Sequence, residues 1–143
     1  METFHTLCPE VGSREYWSVE LPRRRGSLPA GEYGFVELYC NDPGCACRNV
    51  HLNVIGGKPA RHLATINFSL DPDGFQDLRL ERSFLDPLNV QSEHSSVLLE
   101  VFRDHLLPTP EFLARLERHL ALAKACAGRR RPRERRPRYQ RQP

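Results

Sequence analysis

No uninterrupted apolar run in this 143-residue chain approaches 18 residues, and the N-terminus does not read basic-then-apolar. Neither a membrane-spanning helix nor a signal peptide is therefore expected. Also missing are a nucleophile elbow, a phosphate-cradling glycine loop, an HExxH helix and any internal repeat. Serine, histidine and acidic residues are present, but no spacing groups them, so no enzyme is expected. Acidic residues nearly vanish at the C-terminal end. Residues 129–143 hold Arg129, Arg130, Arg131, Arg133, Arg135, Arg136, Arg138 and Arg141 against Glu134 alone, a net charge of +7. That leaves 13 basic and 17 acidic residues in 1–128, a net of −4, so the overall +3 describes neither part.

The hydrophobic fraction of 39% is enough for one self-sufficient domain, placed at 1–128. After Gly128, eight arginines and three prolines in fifteen residues cannot form a core, and 129–143 is expected to be a disordered tail. The chain has five cysteines, an odd number, and no secretion signal. They read as reduced cytoplasmic thiols or metal ligands rather than as a disulfide framework.

Three of those cysteines fall in Phe35–Val50, FVELYCNDPGCACRNV, with C-x4-C-x-C spacing at Cys40, Cys45 and Cys47. Pro43 and Gly44 suit the second and third positions of a turn, of type II if Gly44 takes a positive φ. Such a turn carries Cys45 back toward Cys40. Cys45 and Cys47 share a side if the segment is extended. Convergent thiolates on a stiff turn suit one tetrahedral zinc ion. Three thiols without metal are the simpler alternative. A Cys40–Cys45 disulfide, and with it thiol redox use, requires the Cα atoms to close to about 6 Å.

A closed site needs a fourth ligand. His51 lies four residues past Cys47, about 13 Å along an extended strand, too far for one ion. His119, on the inner stripe of the last helix, is the expected ligand, with Cys126 and Cys8 as alternatives. A hydrogen-bonded core histidine and small buried cysteines are the competing readings.

The segment YCNDPGCACRNV resembles the cysteine-bearing part of small uncharacterised bacterial proteins that often carry a C-terminal SEC-C motif, a zinc-binding knuckle. FLDPLNVQS (84–92) and LERHLALAK (116–124) extend that resemblance over about residues 5–126. The resemblance implies a bacterial zinc-binding domain and carries no established activity. The usual SEC-C run is absent, and the arginine-rich tail stands in its place.

Periodicity gives the architecture. Residues 1–14 read as an irregular arm. Strands are expected at Tyr16–Leu21, Phe35–Cys40, Asn49–Ile55 and His62–Leu70, with a weaker one at Leu78–Phe84. Pro22–Gly34 reads as a loop whose three arginines are solvated or hold an anion. Asp86 and Asn89 read as turn formers beside Pro87, with a polar site as the alternative. From Ser92, a helix cap, the period changes to 3.6, and a helix runs to Pro108. A second starts at Thr109-Pro110 and stops at Gly128. The fold class is α+β, an antiparallel meander of four to five strands followed by two helices on one face.

Two functions follow. One is a cytoplasmic protein with one structural zinc that acts as a binding or adaptor module for a protein partner. The other is a nucleic-acid binder using the tail, since arginine pairs bidentately with phosphate. Tyr139 is the only aromatic among those arginines, so base stacking would be slight.

Overall fold

The computed structural model describes residues 1–130. The expectations for 131–143 lie outside the described residues. Order in the chain is β1 (Glu2–Thr3), α1 (Phe4–Leu7), α2 (Pro9–Gly12), β2 (Trp17–Leu21), β3 (Gly31–Tyr39), β4 (Asn49–Gly56), β5 (Arg61–Ser69), β6 (Ser83–Leu85), α3 (Ser95–Val101) and α4 (Pro110–Arg129). The α+β class holds. The six-stranded antiparallel sheet has the order β1-β3-β4-β5-β6, with β2 also pairing β3. β2 to β6 form the expected meander, and β1 adds a short strand along the far end of β3.

Alternation along β3 buries Tyr33, Phe35, Glu37 and Tyr39. The register Phe35↔Val54 and Val50↔Phe68 brings Val50, Leu52 and Val54 of β4 and Ala64, Ile66 and Phe68 of β5 to that same face. A bulge at Val54/Ile55 lets Leu63 turn inward as well. At Gly56 a Cβ would stand 2.5 Å from Tyr33 Cδ1, so only glycine fits there.

The helices cover this face. Phe102 sits at their centre, its ring 5.6 Å from Phe68, 6.0 Å from Phe112 and 6.3 Å from Phe35. The expected first helix is two pieces. α3 gives way at Phe102–Leu106 to a π-helical turn, in which Leu107 N–H donates to Phe102 O at 3.0 Å. Ser92 does not cap α3. Its hydroxyl accepts from His94 N–H two residues on, in a turn that precedes the helix.

Other expectations are corrected. The N-terminal arm is structured: Thr3 caps α1, and Phe4 and Leu7 are buried. In place of a strand over Leu78–Phe84 there is a 3-10 turn at Gln76–Leu78 and a strand only at Ser83–Leu85, consistent with the weak alternation around Glu81 and Arg82. β3 begins at Gly31, inside the expected loop. Gly128 does not stop α4; the helix includes Arg129, and Arg130 N–H donates to Cys126 O. Among the described residues no helix is long and apolar enough to cross a membrane.

Candidate metal centre

β3 ends at Tyr39 and β4 begins at Asn49, so Cys40–Arg48 is the connection between two strands of one hairpin. Its bend is built locally. Cys45 N–H donates to Asp42 O at 3.1 Å, and Gly44 N–H donates to the Asp42 carboxylate at 2.9 Å. Pro43 thus occupies the second position of the turn and Gly44 the third, as the sequence implies. Gly44 is not among the glycines with positive φ, however, so the turn is not type II. The side-chain bond from Asp42 to Gly44 N–H holds it instead.

The bend brings three thiols together. Cys40, Cys45 and Cys47 have their sulfur atoms all within 4.8 Å of one another. In a tetrahedral zinc site with bonds of about 2.3 Å, neighbouring sulfurs stand about 3.8 Å apart, so small rotations suffice to close this set on an ion. Cys47 N–H donates to Cys45 Sγ at 3.4 Å and lowers the Cys45 thiol from its ordinary value. Burial, with the hydrogen bond to Cys45, pushes Cys47 up to about 11. The connection is anchored on both sides. Arg48 pairs with Glu117 of α4 at 2.5 Å, its carbonyl accepts from Leu70 N–H, and a Cβ on Gly128 would lie 3.8 Å from Pro43 Cβ.

None of the expected fourth ligands reaches this cluster. His119 is fully buried, with Nδ1 2.7 Å from Glu37 Oε2 and Nε2 2.6 Å from Glu15 Oε2. Both ring nitrogens are thus committed to carboxylates, and the ring does not join the cysteine cluster. Phe4 stacks on the same ring at 3.9 Å. His119 is thus the hydrogen-bonded core histidine. The two cysteine alternatives fail for another reason: Cys8 and Cys126 are joined as a disulfide, with Cα atoms 6.1 Å apart. This also corrects the expectation that every cysteine is a free thiol or ligand. Cys8 follows α1 and Cys126 lies in the last turns of α4, two elements that pack together.

No family model, curated protein or solved structure matches this chain. Its chemistry therefore rests on its own geometry.

Sequence reading missed the partners of His119. Glu37 is the one acid on the buried face of β3, between Phe35 and Tyr39, and the Tyr39 hydroxyl donates to it at 2.6 Å. Burial holds the Tyr39 phenol protonated far above its ordinary range. A carboxylate on an otherwise apolar alternation was the available signal, and a histidine on an apolar helical stripe was its match. Glu15 also pairs with Arg118 at 2.5 Å. Its carboxyl is held below its ordinary value, first by His119 and then by Arg118. Asp86 behaves as a turn former: it accepts from Leu88 N–H and from the Asn89 amide, both at 2.7 Å. Of the loop arginines, Arg25 pairs with Asp104 at 2.5 Å.

His119→Ala is expected to leave metal content unchanged and to destabilise the fold by about 3–5 kcal/mol in chemical denaturation, because Glu37 loses its buried partner. Glu37→Leu combined with His119→Leu should cost less than the single change. Glu15 supplies a pH dependence. Its folded pKa lies below the unfolded one, so its contribution is complete above the ordinary carboxylate value of 4.5 and is lost as pH falls below it. The stability deficit of Glu15→Gln should therefore be largest near neutrality and shrink on acidification, as read from melting temperatures between pH 7 and pH 3.

Proposed function

We propose that the Cys40–Cys45–Cys47 turn holds one structural zinc ion and that the domain works as a binding module for a protein partner. The observation that carries this reading is the convergence of three sulfurs within 4.8 Å on a turn braced by Asp42 and Arg48. Soft thiolates favour zinc over hard cations such as magnesium or calcium. When bound, the ion would crosslink a nine-residue connection that has no strand pairing of its own, and so add to folding stability. The resemblance of this turn to the cysteine-bearing segment of the SEC-C motif-containing proteins belongs to the same reading. The Cys45 side chain would ligate from the centre of the turn, with Cys40 and Cys47 at the two strand ends.

One placement favours the second reading, contact with nucleic acid. The end of α4 rests on Pro43, so the helix leading into the arginine run ends near the cysteine turn, while Arg129 and Arg130 themselves turn to Cys126 Sγ and Glu2. The body, at −4, repels phosphate, whereas 129–143, at +7, attracts it.

Protein prepared without chelator is expected to carry about one zinc per chain, and Cys45→Ser to lose the metal and melt at a lower temperature. Elemental analysis showing no stoichiometric metal would sink the zinc reading. Truncation after Arg130 should leave the melting temperature nearly unchanged while abolishing binding of a fluorescent oligonucleotide. For the intact chain, neutralising five to seven phosphates should give a slope of roughly −4 to −6 in log K against log salt. Equal binding by both forms would move the interface onto the body.

A further inference from the structure

We infer that the cysteine turn is an open three-thiolate centre whose fourth coordination position is filled from outside the folded chain, by an exogenous thiol. This inference rests on the zinc reading above and concerns the same site. All five cysteines are accounted for: three form the cluster, and Cys8 and Cys126 are bonded to each other. Of the six histidines, all within the described residues, none joins the cluster, nor does any Asp or Glu among the described residues. Residues 131–143 contain neither cysteine nor histidine. A fourth cysteine or histidine ligand is therefore absent among the described residues, and 131–143 hold none to offer. Zinc held by three protein ligands keeps a fourth, exchangeable position, in contrast to the closed four-ligand sites of purely structural zinc.

Access and the chemistry of the donor set bear on what fills that position. The centre is reachable: Asn41, Asp42, Gly44 and Ala46, which surround the three cysteines in the chain, are exposed or half-buried, and the cysteines themselves are half-buried. The donor set favours a soft ligand, because the three thiolates in place suit a metal that takes sulfur. Zinc with three thiolates carries −1, and a fourth thiolate brings it to −2. Binding is a ligand exchange: the incoming thiol forms a sulfur–metal bond, releases its proton to solvent and displaces water. No electron is transferred.

Cobalt(II), which reports thiolate coordination by its absorption, tests this on the full chain and on the Cys8→Ser/Cys126→Ser variant, both anaerobic with a phosphine reductant. Sulfur-to-cobalt charge transfer should appear in both. Titration with 2-mercaptoethanol should then shift the visible bands through isosbestic points, saturating at one thiol per cobalt. The charge-transfer intensity should rise by about one third, the ratio of four thiolates to three. A spectrum that thiol does not change shows a closed centre and overturns the inference while sparing the metal reading. The inference is likewise overturned if the bands vanish as thiol strips the metal, if the double-serine variant loses cobalt, or if metal loading doubles the mass in size-exclusion chromatography. Absence of any charge-transfer band on cobalt addition overturns both readings.

Discussion

The hydrogen bond between His119 and Glu37 sets the relation of helix to sheet in this protein. Both groups are buried, and a buried carboxylate is tolerated only when its acceptor sites are filled. Glu37 is filled by His119 from α4 and by Tyr39 from its own strand. Apolar contacts such as those of Phe102 and Phe112 tolerate sliding at modest cost. A directional bond at 2.7 Å does not, so it fixes both the rotation and the axial position of α4. Nine residues beyond His119, about 13 Å along the axis, Gly128 arrives against Pro43. The polar pair in the core thereby determines what stands beside the cysteine turn at the surface.

The N-terminal arm is fastened to that same helix and to the sheet beneath it by four unlike contacts. β1 pairs with β3, Phe4 stacks on His119, Glu15 bonds His119 and Arg118, and Cys8 is bonded to Cys126. The disulfide spans 118 residues, so it joins the two ends of the fold and restricts the unfolded chain over nearly its whole length. Phe4 and Glu15 matter differently, because they cover the second side of the imidazole and complete its hydrogen bonding. Without the arm, His119 would face solvent at Nε2, and Glu37 would lose part of its shielding from water.

The meander, the two-helix C-terminal half and the cysteine turn were legible because each is written in local terms: period 2, period 3.6, and an Asp-Pro-Gly turn between thiols. The arm was not. Its helices span four residues each and owe their existence to Phe4 and Leu7 finding α4 more than a hundred residues away. The π-helical turn at Phe102–Leu106 was equally invisible, since an apolar stripe does not distinguish i+4 from i+5 bonding over one turn. Cysteines 8 and 126 look alike in sequence to the other three, and only their approach across the fold separates a crosslink from a ligand. His119 carried the same ambiguity. Its stripe position suited a ligand or a core residue, and two distant carboxylates decided between them.

The cysteines are therefore divided by sequence distance into two chemistries. Cys40, Cys45 and Cys47 are brought together by eight residues of chain and one turn, so their proximity survives small movements of the core. Cys8 and Cys126 meet only if β1, α1 and α4 are all in place. A local cluster suits a centre that exchanges a ligand, because ligand binding there need not disturb the core. A long-range bond suits a fastening that reports on the whole fold. The helix α4 connects the two, with Cys126 facing the arm and Gly128 facing Pro43, so the disulfide bond and the thiol cluster stand on opposite sides of its last turns.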